Sequence, residues 1–306
     1  MNPPIGFVLL THQNPSQILF LCEQLTKQFD RAPIVIHHDF SKSKLNQDLF
    51  PGNVSFVADW ENTRWGGWGV VAGQLKATRQ LYSQHKPDWF VVLSSADFPV
   101  KPARSILEDL YGGGFDAYLY HRRIGYCMLP LPLGGFGAAN FAHPAWERLA
   151  FERYVALGFG FYKLATRLKW KTKALYLRQQ FFIKRFTPFD GSMECFAGEY
   201  WLTGNRSTAE ALLSDNARNR RLTAHFERRP NPDEGFPHTV LCNTPSLKVS
   251  PDSKRFSDWE GQINHPRTLT EADFPRLLAS SAHFARKFDF NPQQLLRLSS
   301  LLENRS

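Results

Sequence analysis

Apolar and polar positions alternate in blocks over the first 120 residues. Ile5–Thr11 (IGFVLLT) is an almost unbroken apolar run, the pattern of a strand buried on both faces. Asn14-Pro15-Ser16-Gln17 then predicts a helix start. Asn14 serves as cap, Pro15 suits the first helical position, and Gln17 completes a capping-box-like pattern. Ile18, Leu21, Cys22, Leu25 and Phe29 follow on one helical stripe. Pro33–His38 reads as a second buried strand and Val54–Ala58 as a short third. Trp68–Tyr82 predicts a helix with Val71, Leu75, Thr78 and Tyr82 on one face, and Trp89–Leu93 a strand. A helix over Pro102–Tyr111 and a strand over Asp116–Tyr120 complete the series. This alternation builds an α/β fold, a mainly parallel central sheet flanked by helices. Ligands of such sheets sit at the carboxyl ends of the strands, where Thr11-His12, His38-Asp39 and Ser94–Asp97 stand.

Beyond residue 120 the periodicity weakens. Leu129–Ala139 is rich in Pro and Gly and reads as loop. The basic, aromatic stretch after it reads as largely helical. No repeat, low-complexity segment or linker divides the 306 residues. With 42% hydrophobic and 21% charged residues the chain is an ordinary globular protein. Most of its 26 Phe and 8 Trp are needed for a core, although aromatic rings also stack on sugars. No basic segment precedes the Ile5 run, so no signal peptide is expected. No run reaches the ~18 apolar residues of a membrane span. Cys22, Cys127, Cys195 and Cys242 are scattered, which argues against a zinc ribbon and a disulfide scaffold. A reducing, cytoplasmic compartment is the expectation.

The net charge of +9 is unevenly placed. No Asp or Glu occurs from Arg153 to Phe189, while Arg153, Lys163, Arg167, Lys169, Lys171, Lys173, Arg178, Lys184 and Arg185 do. Aromatic residues interleave with them. Such a segment, 153–185, suits an anionic membrane surface at the inner face, or is simply a solvated basic face. No recognition motif for nucleic acid accompanies it. The first strand is followed by no Gly-x-Gly-x-x-Gly, and the chain has no Walker loop, so the dinucleotide and P-loop fingerprints are absent.

Candidate chemistry lies in the last third. An acidic turn, Pro232-Asp233-Glu234, is followed by His265-Pro266-Arg267 and by Phe284-Ala285-Arg286-Lys287-Phe288-Asp289. One carboxylate followed by separated cations is what sugar transfer without a metal needs: a base for the acceptor hydroxyl and positive charge for a departing diphosphate. Asp97 is the single acid of Ser94–Asp97, and it also suits a loop-holding role through backbone N–H bonds. His37, His38 and Asp39 look like metal ligands, but neighbours on a strand point to opposite faces, so no metal site is expected. Trp65 and Trp68 flank Gly66-Gly67, either as a packed turn or as a ligand edge.

With these pieces in order, the chain resembles the core-2/I-branching β-1,6-N-acetylglucosaminyltransferases and the related peptide O-xylosyltransferases. The resemblance rests on Leu9-Leu10-Thr11-His12, Ile36-His37-His38-Asp39, Trp65-Gly66-Gly67-Trp68, Leu93–Val100, Pro232-Asp233-Glu234 and Phe284–Asp289. It covers 5–120 and 190–290 well and 121–190 poorly. It implies a GT-A (Rossmann-like) fold and inverting transfer of GlcNAc or xylose from a UDP-sugar to a glycan or protein hydroxyl. No metal and no other cofactor are implied.

The matching positions imply roles. Leu10, Thr11 and His12 line the uridine pocket, Asp39 holds uridine or ribose, and Trp65 flanks it. Asp97 stands where many GT-A enzymes carry Asp-x-Asp. Glu234 is the base, with Glu199 as a weaker candidate. Lys287 binds the diphosphate, and Arg267 is the nearest partner, at a spacing shorter than in the branching enzymes. One domain follows: a nucleotide-binding half over 1–120, a variable acceptor and basic segment over 121–190, and a catalytic and diphosphate-binding half over 191–306. A non-catalytic nucleotide- or glycan-binding module of the same fold is the alternative.

Overall fold

The computed structural model describes residues 2–125, 146–159, 175–177, 180–262 and 265–304. The first 120 residues form β1 (Ile5–Thr11), α1 (Pro15–Gln28), β2 (Ile34–His38), β3 (Val54–Phe56), α2 (Gly69–Gln84), β4 (Trp89–Ser94), β5 (Asp97–Pro99), α3 (Ala103–Gly112) and β6 (Ala117–Tyr118). β5 is the only one the apolar pattern did not foresee. Among the described residues the central sheet has seven strands in the order Val249–Ser250, β6, Thr203–Asn205, β4, β1, β2, β3. Thr203–Asn205 runs antiparallel to both neighbours and the other pairings are parallel. The expected α/β architecture, a mainly parallel central sheet flanked by helices, is therefore present, with later strands completing the sheet.

Burial explains why β1 and β4 read as continuous apolar runs. Ile5, Phe7 and Leu9 pack with Trp89, Val91 and Leu93 in the core on one face of the sheet. Val8 packs with Phe90 and Val92 in the core on the other. Each such side chain, fully buried, contributes about 1.5–3 kcal/mol.

The start of α1 differs from expectation. Asn14 takes the left-handed conformation (φ 59°) and its side chain caps nothing. Its carbonyl accepts from Gln17 N (3.0 Å) and Ile18 N (3.1 Å) instead. Gln17 Oε1 accepts from Asn14 Nδ2 at 3.4 Å, a side-chain contact rather than a capping box, while its Nε2 donates to Phe288 O at 2.9 Å.

A smaller sheet orders Arg255–Ser257, Phe284–Arg286 and β5. Its register sets Arg286 opposite Ser257 on one side and Asp97 on the other. The C-terminal motif is thereby brought to the end of β4. The described ends of the basic stretch are helical at Phe151–Val155, which holds Arg153, and extended in two short pieces. Leu157–Phe159 and Leu175–Leu177 form an antiparallel pair, and helix Gln180–Phe186 follows. These apolar triplets pair with each other, which satisfies their backbone groups without a helix. Leu129–Ala139, Cys127 and the cations from Lys163 to Lys173 and at Arg178 lie outside the described residues. Among the described residues no helix is long and apolar enough to cross a membrane.

Candidate active site

Thr11, Asp39 and Asp97 come together at the carboxyl edge of the sheet. Thr11 pairs with His38 and Leu10 with Ser94, and Asp39 N donates to Thr11 O at 2.9 Å. Leu10 is half-buried, Thr11 buried and His12 exposed. The two histidines part as strand geometry requires. His37 Nε2 accepts from Glu61 N at 2.8 Å, whereas His38 Nδ1 lies 2.8 Å from Thr11 Oγ1. Burial lowers the proton affinity of both rings.

Asp39 is buried, and both its oxygens are occupied. Oδ1 accepts from Ser41 N (3.1 Å) and Ser41 Oγ (2.6 Å). Oδ2 accepts from Thr63 N (2.7 Å) and Thr63 Oγ1 (2.8 Å). Burial opposes its charge, yet these bonds outweigh burial and hold the carboxyl below the usual range. Asp39 thus ties two loops together beneath the strand ends.

Asp97 sits at the turn between β4 and β5. Its Oδ2 accepts from Ser94 N (2.6 Å) and Ser94 Oγ (2.5 Å), the loop-holding role read from the sequence. Its Oδ1 makes no hydrogen bond among the described residues, and Arg286 Nε lies 3.9 Å from it. The Arg286 guanidinium is centred 3.9 Å from the Trp201 ring, a cation–π arrangement. Ser257 Oγ donates to Glu199 Oε1 at 2.9 Å. Burial raises the Glu199 carboxyl above its usual value against the pull of Arg286. Buried Arg255 bonds Val92 O (3.3 Å) and Thr203 Oγ1 (3.2 Å) behind this group.

Glu234 lies in the turn Pro232–Glu234, and three other segments hold that turn. Asn231 N donates to Gly66 O (2.9 Å) and Gly198 N to Glu234 O (2.9 Å), while Tyr154 Oη donates to Asn231 O (2.8 Å). The Trp65-Gly66-Gly67-Trp68 loop is therefore docked on the acidic turn, with Trp65 itself 76% exposed. Gly66 is required there: its φ is +69°, and a Cβ would stand 2.9 Å from Asn231 Oδ1. Gly198 is required for space, since a Cβ would meet Tyr120 O at 1.9 Å.

Arg153 Nη1 lies 3.3 Å from Glu234 Oε2, with the two side chains 15% and 23% exposed. Burial pushes the Glu234 carboxyl upward, the neighbouring Asp233 pushes it further, and Arg153 pulls it back. Asp233 is likewise raised by burial. Segment 198–201 links this turn to the Asp97 group. Gly198 bonds Glu234, Glu199 bonds Ser257, and Trp201 stacks on Arg286.

Lys287 is half-buried, and its ammonium makes no hydrogen bond or ion pair among the described residues. Its place is fixed by main chain: Leu269 N donates to Lys287 O and Phe288 N to Ala96 O, both at 2.9 Å. Arg267 lies on the neighbouring segment, but carboxylates already surround it. It bonds Asp258 Oδ2 at 3.0 and 2.8 Å and Asp273 at 3.0 and 2.5 Å. Three contributors were missed from the sequence as site residues. Arg286 was within a quoted motif, Arg153 was counted with the basic face, and Trp201 carried no signal beyond its neighbour Glu199.

A family model described as Core-2/I-Branching enzyme matches residues 5–112 and 161–278. The chain is similar to two Arabidopsis thaliana proteins. One is beta-glucuronosyltransferase GlcAT14B, 25% identical over 277 residues, covering 88% of this chain and 57% of that protein. The other is beta-glucuronosyltransferase GlcAT14A, 25% identical over 305 residues, covering 97% and 60%. The chain thus spans less than two thirds of the length of either relative. Among solved structures it is similar to mouse xyloside xylosyltransferase 1 in its apo form, at 8% identity and a TM-score of 0.39, covering 92% of this chain and 97% of that one.

Proposed function

The chain belongs to the core-2/I-branching enzyme family, a family of glycosyltransferases, and from that premise we propose an inverting, metal-independent transfer with Glu234 as base. A UDP-sugar is the donor and a hydroxyl of a glycan or protein is the acceptor. The observation that carries this reading is Glu234 itself. It is a partly exposed carboxyl whose proton affinity is raised by burial and by Asp233, suited to removing a proton near neutral pH. As the acceptor oxygen bonds to the anomeric carbon, its proton passes to Glu234. The bond from that carbon to the diphosphate oxygen breaks on the opposite face, and UDP departs with the electron pair.

Lys287 and Arg286 meet the charge that develops on the diphosphate. Arg286 takes the partner role expected of Arg267, whose charge is already matched by Asp258 and Asp273. The side-chain cation beside Asp97 does the work a metal does on Asp-x-Asp. Leu10, Thr11, His12 and Trp65 border the uridine, and Asp39 fixes the loops around it. UDP-GlcNAc and UDP-xylose are candidate donors, joined by UDP-glucuronate on the strength of the relatives' names. The site works at a cytoplasmic membrane face, which segment 153–185 contacts.

The test is UDP release from each of the three donors, with and without saccharide acceptors, in EDTA and in Mn²⁺. One donor should release UDP equally in both. Release that requires Mn²⁺ rejects the cation-for-metal role. UDP binding without release from any donor favours the non-catalytic module.

A further inference from the structure

Helix Gln180–Phe186 turns a strongly apolar face to water. It is anchored by Ile183, 4% exposed, and by Thr187 Oγ1, which donates to Ile183 O at 2.7 Å. Phe181 and Phe186, in contrast, are 66% and 61% exposed. At about 100° per residue, Phe181, Phe182, Arg185 and Phe186 share one outward arc. The rings touch in series: Phe181 and Phe182 are edge-on at 5.5 Å, and Phe182 and Phe186 are stacked at 6.3 Å. The Arg185 guanidinium lies 5.9 Å from the Phe186 ring. Lys184 and Arg185 are both exposed. The result is a short aromatic ridge edged with cations, in a stretch free of acidic residues back to Arg153.

Charge decides between occupants. Two copies of this face would set Lys184 and Arg185 against their own kind, whereas an anionic bilayer offers phosphates to the cations and an acyl boundary to the rings. We propose that Gln180–Phe186 is an interfacial anchor. Phe181, Phe182 and Phe186 enter the headgroup–acyl boundary, and Lys184 and Arg185 meet lipid phosphates. This deepens, and rests on, the membrane contact proposed for segment 153–185.

Co-sedimentation of the full chain with phosphatidylcholine vesicles, with and without phosphatidylserine, tests it. The wild type should bind the phosphatidylserine vesicles and release in high salt. The double variant Phe181→Ser, Phe186→Ser should bind about tenfold or more weakly, with unchanged thermal unfolding and UDP affinity. Wild-type binding that the double variant retains in full overturns the anchor and leaves the membrane contact standing. No wild-type binding overturns both. A dimer in sedimentation that the double variant abolishes assigns the ridge to a second copy and overturns the lipid assignment. If the double variant does not fold, Phe186→Ser alone is read by the same outcomes.

Discussion

Asp39 and Glu234 are two carboxylates at one end of the molecule with opposite surroundings. Asp39 receives four hydrogen bonds and is held ionised. Glu234 is buried beside the acidic Asp233, and Arg153, Asn231 and Tyr154 only partly offset the resulting rise in its proton affinity. A carboxylate saturated by donors stabilises structure and has no lone pair left for a substrate proton. One whose donors do not offset burial and a neighbouring charge costs stability when ionised and keeps its affinity for a proton. The same side-chain chemistry thus divides into a fastener and the proposed base according to burial, neighbouring charge and donors.

The largest effect expected from this contrast is kinetic. Glu234→Gln should lower turnover roughly 10²–10⁴-fold with near-intact UDP affinity. Its unfolding midpoint at neutral pH should not fall, because a carboxyl raised in the folded state penalises folding once ionised. Wild-type turnover in this variant removes Glu234 from the base role and turns attention to Glu199 or Asp233. Lys287→Ala should weaken UDP binding by about 1.5–3 kcal/mol, the worth of a charged hydrogen bond, as titration calorimetry reads directly. Equal affinity would place the diphosphate elsewhere.

Asp39→Asn should act on stability first. The folded-state affinity of Asp39 for a proton is depressed, so its contribution is present above the ordinary Asp pKa and is lost as pH falls through the folded value. At neutral pH the variant should lose on the order of 1.5–3 kcal/mol in denaturant melts, and the gap to wild type should close in acid. A constant gap would assign the loss to shape rather than charge. The smallest effect is a displacement. Arg153 pulls the Glu234 carboxyl downward, so Arg153→Met should move the acidic limb of the pH–rate profile to higher pH. A limb that stays in place would show that Arg153 does not set the base.

The sequence made the sheet legible where both faces are buried, because Ile5–Thr11 and Trp89–Leu93 must then be apolar throughout. Short motifs singled out Glu234, Lys287 and Asp97 as candidates. What the sequence hid were pairings between distant segments. Arg267 is engaged by Asp258 and Asp273, and Arg153 meets Glu234 across 81 positions. No periodicity encodes such contacts, since each partner taken alone looks like an ordinary surface charge. The loop-holding reading of Asp97 succeeded because its donors, Ser94 N and Oγ, are only three residues away.

Arg153 lies between the two stretches that match the family pattern, 5–112 and 161–278. The cation beside the proposed base is thus supplied by a part of the chain outside the family match. An insertion, deletion or transplant there changes the wall beside the base and the acidity of its conjugate acid together. Chimeras that exchange residues 113–160 between relatives should therefore shift the pH optimum.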